Sequence, residues 1–183
     1  RILVSGASSQ LGRALLQQRA GRDDHFTCIS RQPGPKTDAG VEWLQADLDS
    51  GWPDVSGAAL LSFGPLQALA DGLASLHVAP FPRVVATSSM SAESKRDALL
   101  PEDRALSEGL RNAEAALIAQ CERLGIGWTI LRPTMIYGMG IDENLTPIAR
   151  RAMRTRLFPY PLGRGLRQPV HAADVAEAAW RAI

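Results

Sequence analysis

The residues Gly6-Ala7-Ser8-Ser9-Gln10-Leu11-Gly12 follow directly on the apolar run Ile2-Leu3-Val4-Ser5 and open a helix-like run from Arg13 to Arg19. A buried strand, a glycine-bounded turn and a helix N-terminus, in that order, leave few folds open. The layout is that of the first βα unit of a doubly wound sheet. There, backbone N–H groups and the positive end of the helix dipole face a dinucleotide pyrophosphate. Gly6 allows the tight turn and Gly12 allows the helix to pack closely on the strand. Ser9 stands where a middle glycine would let the backbone touch the pyrophosphate, and it offers phosphate a hydroxyl instead. The competing reading is an ordinary glycine-capped βα turn; the strand before and the helix after favour binding.

The rest of the chain continues the alternation. Near-continuous apolar runs at 2–5, 26–30, 41–44, 58–63, 84–88 and 128–132 read as strands covered on both faces, as in a parallel sheet. Helical patterns fall at 11–19, 66–76, 103–124, 147–156 and 173–183. In the fourth-longest gap, between Val41 and Ala58, there is room for only a stub of crossover helix. Residues 32–40, with Pro33, Gly34, Pro35 and Gly40, read as an irregular loop. The helix over 103–124 carries the stripe Leu106, Leu110, Ala113, Leu117, Cys121 and Leu124, with Gly125 as its C-cap. The expected architecture is α/β: a Rossmann-like, doubly wound parallel sheet in a single domain. A cofactor-binding core spans 1–134 and a small substrate lobe 135–183. The chain opens on Arg1, which fits a trimmed or incomplete N-terminus.

Composition narrows the function. A net charge of +1 gives no electrostatic case for nucleic acid or an anionic membrane. No apolar run approaches the roughly 18 residues of a membrane span. Cys28 and Cys121 lack CxxC spacing, so they read as two small buried hydrophobes, and no metal site is expected. The setting reads as reducing and cytoplasmic. The second strand ends Ile29-Ser30-Arg31. An acid at its end would accept from a ribose 2′-OH and favour NAD. Arg31 beside a serine suits a 2′-phosphate, hence NADP, against the plainer reading of a solvated surface arginine.

Five ordered segments carry a resemblance. They are the Gly6–Gly12 loop, Ala46-Asp47-Leu48, Ala86-Thr87-Ser88-Ser89, the run Leu131-Arg132-Pro133-Thr134-Met135-Ile136-Tyr137-Gly138, and Gln168-Pro169-Val170-His171-Ala172-Ala173-Asp174-Val175-Ala176. In them the chain resembles the atypical and extended short-chain dehydrogenase/reductases, the NAD-dependent epimerase/dehydratase-like group. The resemblance implies that Ser8, Gln10 and Leu11 of the loop meet the pyrophosphate. Asp47 accepts from the adenine amino group and Leu48 lines its pocket. Ser62, Phe63 and Gly64 run past the ribose. Thr87, Ser88, Arg132, Pro133 and Met135 lie about the nicotinamide, and Ser89 bonds the substrate oxygen. Asp174 is expected near the N-terminus of the last helix. The bland alternatives are a loop cap for Asp47, an N-cap for Asp174 and a structural role for His171. The resemblance also implies a small substrate and suggests a homodimer through the 103–124 helix. The basic cluster Arg150, Arg151, Arg154, Arg156, Arg164 and Arg167 reads either as a clamp for an anionic substrate or, slightly favoured, as a solvated helix face.

One expected pair is missing. The family trades its proton through a tyrosine whose phenol is acidified by a lysine four residues on. Tyr137 is followed at that spacing by Ile141, and Tyr160 by Arg164. Aligning the helix on Arg111-Asn112-Ala113-Glu114 puts Leu106 and Leu110 at the two positions. The remaining proton sources are Ser89, Tyr137, His171 or bound water. Two classes therefore stay open: an NAD(P)-dependent oxidoreductase or epimerase-like enzyme, and a non-catalytic dinucleotide-binding redox sensor or assembly subunit. A nucleic-acid-binding regulator is the weakest of the readings, given the charge.

Overall fold

A computed structural model describes residues 1–21, 23–35, 40–158 and 168–183. Lys36, Tyr160, Arg164 and Arg167 lie outside the described residues, as does the centre of the 32–40 loop.

Six parallel strands form the main sheet: β1 (Ile2–Ser5), β2 (Phe26–Ser30), β3 (Val41–Gln45), β4 (Ala59–Ser62), β5 (Arg83–Thr87) and β6 (Gly127–Leu131). Their order is β3-β2-β1-β4-β5-β6. The chain runs outward from β1 in one direction, then crosses back to β4 and runs outward in the other. The strand order thus reverses between β1 and β4, and their C-terminal ends open a crevice there. The registers Val4↔Cys28 and Val4↔Leu61 place the three central strands level, so all their loops leave at one edge.

Two apolar layers cover the sheet. On one face α1 (Gln10–Arg19) and α6 (Ala172–Arg181) pack together over Val4, Cys28, Leu61 and Val85. On the other, α2 (Leu66–Ala74) and α4 (Pro101–Leu124) close over Leu3, Leu60, Val84 and Ala86. The four central strands are buried on both sides, which is why they read as unbroken apolar runs. Between β3 and β4 the crossover helix is reduced to one 3-10 turn over Leu48–Ser50, as the short spacing required.

Three elements are too short to be legible in sequence. The one-turn helix α3 (Ser91–Ser94) follows β5, and β7 (Ile136–Tyr137) pairs in parallel with β8 (Val170–His171) in a separate two-stranded sheet. Helix α5 (Leu145–Thr155) lies between these two strands in the chain and buries none of its residues.

Along the stripe on α4 only Leu117 and Cys121 are fully buried. Leu106 is 46% exposed and Leu110 half-buried. Ser107 and Glu114, both polar, are also buried on this helix.

Candidate site at the sheet edge

The loop after β1 and the loop after β4 touch. Gly6 has φ of 68°, and a Cβ placed on it would stand 2.6 Å from the Gly64 nitrogen and 2.7 Å from the Phe63 oxygen. Gly12 is as tightly constrained, since its Cβ would lie 2.4 Å from the Ala7 Cα. Both positions therefore admit only glycine. Ser9, by contrast, has ordinary extended geometry and serves as N-cap of α1: its Oγ accepts from the Gly12 N–H at 3.2 Å. The hydroxyl proton stays available to a phosphate while the oxygen holds the helix. Leu11 points into the core, and the Ser8 carbonyl accepts from Arg13 Nε.

This contact opens into a cleft of about 390 Å³. Ser8 and Gly64 form one wall; Arg31, Asp47, Leu48 and Trp43 form the other. Trp43 is half-buried, and its ring lies so close over Gly34 that no Cβ fits there. Asp47 Oδ1 accepts from the Asp49 N–H at 3.2 Å, so it caps its 3-10 turn while bordering the cleft. Among the described residues the exposed Arg31 guanidinium has no acceptor.

A second cleft, of about 470 Å³, lies along the same edge beyond Gly64 and Pro65. Thr87 and Ser88 stand at one end; Leu106, Gly109, Leu110 and Ala113 of α4 supply the apolar side. Gly64 and Pro65 border both clefts. The two leucines at the places of the missing tyrosine and lysine thus face this second cleft.

Several expected ligand contacts are engaged internally. Ser62 is fully buried and its Oγ accepts from Ser5 Oγ at 2.8 Å, while its carbonyl accepts from Thr87 Oγ1 at 3.3 Å. Phe63 packs into the first core layer. Arg132 donates through Nε to Glu114 Oε1 at 2.9 Å and through Nη2 to Glu114 Oε2, and its Nη1 sits 3.1 Å from Glu93 Oε1. Its guanidinium is held by two carboxylates and is not offered to a phosphate. Hydrogen bonds from Arg132 hold the Glu114 carboxyl below the usual range against the opposing effect of burial. The neighbouring Ser88 hydroxyl adds a little to that lowering, though it makes no bond of good geometry. Pro133 and Met135 are fixed through their carbonyls, which accept from the Met90 and Val170 N–H groups at 2.9 Å each.

Of the expected catalytic residues, Ser89 follows β5, whereas Tyr137 and His171 are partners on β7 and β8. Ser89 Oγ accepts from the Ser91 N–H at 3.1 Å and starts α3. Tyr137 meets His171 edge to face, with ring centroids 5.1 Å apart. His171, not Asp174, is the N-cap of α6: its Nδ1 accepts from the Ala173 N–H at 3.1 Å, which puts its proton on Nε2 in the neutral ring. Asp174 is exposed in the first turn of that helix. Cys28 and Cys121 are fully buried, and burial pushes their thiols up to about 12 and about 11. Sequence reasoning missed Glu114 as the partner of Arg132. The signal was there, since an acid three residues before Leu117 and seven before Cys121 lies on an apolar face.

No family model matches the chain, and no curated protein gives a significant match. Solved structures do. MoeE5, in complex with UDP-glucose and NAD, superposes with a TM-score of 0.70 at 21% identity over 98% of this chain and 70% of its own. The UDP-glucose 4-epimerase of Thermotoga maritima gives 0.73 at 12% identity, over 100% of this chain and 72% of its own. The chain has the epimerase/dehydratase fold. An NAD-dependent NDP-hexosamine 5,6-dehydratase shows the same fold at 0.70 and 16% identity, over 97% of this chain and 69% of its own. Within this epimerase/dehydratase fold, the contact of Gly6 with Gly64 sits at the point where the strand order reverses.

Proposed function

We propose that the protein binds an NAD(P) dinucleotide along this edge and acts as an epimerase/dehydratase-like oxidoreductase of the atypical short-chain type. The observation that carries the reading is the closure of Gly6 on Gly64, which clears side chains from the sheet edge beside the N-terminus of α1. A pyrophosphate fits that cradle, with the Ser9 hydroxyl and the free N–H groups of the first turn as donors. The adenosine half fits the cleft of Trp43, Asp47 and Leu48. Arg31, with no acceptor of its own, suits a 2′-phosphate and favours NADP over NAD. The nicotinamide half fits the second cleft, and once bound there it supplies or accepts a hydride.

The protein's own contribution to chemistry is then narrow. Leu106 and Leu110 exclude water from the second cleft but move no proton. Ser89 Oγ already accepts one bond and keeps its hydrogen to donate, and the Tyr137 hydroxyl and His171 Nε2 are further proton-bearing groups. The substrate class we favour is a small anionic molecule such as a nucleotide sugar, in line with what the named neighbours bind. A second reading, dinucleotide binding without turnover as a redox sensor or assembly subunit, is favoured by the leucine pair. Two buried unreactive thiols suit the cytoplasm, and the exposed Leu106 on α4 suits a homodimer.

Titration with NADPH and NADH, followed by fluorescence, tests the reading, with a panel of carbonyl and nucleotide-sugar substrates to follow. Binding without turnover across the panel selects the sensor; no binding of either nucleotide sinks both readings. Arg31→Asp should weaken NADPH about tenfold or more and NADH far less, since only the former loses a charge-assisted bond. Equal losses would refute the preference for NADP.

A further inference from the structure

Gly138, Met139 and Gly140 hold φ of 106°, 55° and 68°, three left-handed residues in succession. At Met139, which has a side chain, that conformation is disfavoured and persists only if its surroundings impose it. Four contacts do so. Gln10 Nε2 donates to the Gly138 carbonyl at 3.0 Å. Arg150 Nη2 donates to the Gly140 carbonyl at 2.8 Å. The Met139 side chain packs on the core layer that holds Leu11 and Ala172. Gly138 itself lies against the His171 ring, where a Cβ would stand 2.5 Å from Nε2. The loop is therefore gripped from the first turn of α1 on one side and from α5 on the other.

Helix α5 needs this grip. It buries no residue of its own, and Arg150, Arg151, Arg154 and Arg156 are all exposed on it or at its end. What holds it is its entry: the Arg150 bond, and Asp142, whose Oδ1 accepts from the Leu145 and Thr146 N–H groups at 2.7 and 2.9 Å. Gln10 is the residue by which the glycine-rich turn reaches this assembly.

We infer that Gln10 is a positioning residue that couples the state of the glycine-rich turn to the placement of α5 through the strained Gly138–Gly140 loop. The inference rests on the dinucleotide reading. A pyrophosphate on the backbone of the turn fixes Gln10, Gln10 holds Gly138, and the loop passes that constraint to Arg150. Loading the dinucleotide thereby orders the arginine-bearing helix before a substrate arrives.

Limited trypsin digestion reads this directly, because the α5 arginines are the cleavage sites and mass spectrometry assigns each cut. Gln10→Met keeps the side-chain length and removes the donor. Without nucleotide, the variant should be cut within α5 about three- to tenfold faster than the wild type, the ratio that one hydrogen bond of ordinary net strength makes in an opening equilibrium. An unchanged urea midpoint shows that the opening is local. NADPH should slow α5 cleavage in the wild type. Supplied at concentrations that saturate each protein in its own binding titration, NADPH should leave the variant's cleavage fast. Equal cleavage of the two proteins without nucleotide overturns the tie, and equal protection by NADPH overturns the coupling. Failure of the wild type to bind NADPH overturns the dinucleotide reading and the coupling with it, and the binding titration tells these failures apart.

Discussion

Removing Arg132 should cost more stability than removing its partner Glu114, although both changes delete the same pair. Arg132→Met leaves a carboxylate whose side chain is only 5% exposed, with the Ser88 hydroxyl as its nearest remaining help. Stranding a buried charge in this way costs about 3–5 kcal/mol, and we expect about 3. Glu114→Gln instead strands a guanidinium that is 38% exposed and keeps Glu93 at 3.1 Å. Exposed pairs are worth about 0–1 kcal/mol, so the second loss should be about 1 kcal/mol. For a chain of this size the melting temperatures fall by about 6–12 °C and 2–4 °C. The sign with pH follows from linkage. In the wild type the carboxyl is held below its ordinary 4.5, so its contribution is present above that value and lost on acidification. In Arg132→Met burial outweighs the help from Ser88 and raises the carboxyl. The variant's deficit is then greatest near neutrality and narrows on acidification as the acid takes up its proton. Thermal unfolding followed by circular dichroism at neutral and acidic pH measures both effects. The double variant Glu114→Met/Arg132→Met should recover most of the loss. A smaller loss for Arg132→Met than for Glu114→Gln, or a deficit independent of pH, would refute the assignment of Glu114 as the buried charge.

Three other outcomes follow from the geometry. Gly6→Ala should lower stability by about 2 kcal/mol or more, because it combines left-handed strain with contact on backbone; Gly21→Ala, at φ of 76° but in open space, should cost only the strain, and urea midpoints compare them. Asp142→Asn should cost about 1 kcal/mol of local stability at α5, seen as faster amide exchange at Leu145 and Thr146. Bonds from Thr146 push the Asp142 carboxyl down to about 2, so this contribution is present above its ordinary 3.8 and lost as pH falls from there toward 2. Finally, both thiols should resist a thiol reagent near pH 8 in the native protein and react only as fast as it unfolds, since burial holds them up to about 12 and about 11.

The sheet was legible because burial on both faces leaves strands with nowhere to put a polar side chain. Every strand of the main sheet was found within a residue or two, and the α6 start at Ala172 fell one residue from expectation. The site was legible where the backbone itself does the work: Gly6 and Gly12 are forced to be glycine by contacts at 2.4–2.7 Å. It was less legible where a side chain has a choice of partner. Arg132 turned to Glu114 and Ser62 to Ser5; the place of Glu114 on an apolar face hinted at the first, and nothing in the spacing announced the second. The leucine stripe misled for a related reason. Periodicity records which face is apolar but not whether that face meets a core or a cleft, and Leu106 and Leu110 of the stripe line a cleft. The pair β7 and β8 is two residues long on each strand and falls below any periodic signal.

Gly64 and Pro65 form a ridge common to the two clefts. Pro65 has φ of −59° set by its ring, and the Gly64 backbone lies close enough to Gly6 that a Cβ on Gly6 would stand 2.6 Å from its nitrogen. Under the dinucleotide reading the ridge would act as a ruler, because a molecule that occupies both compartments has to span it.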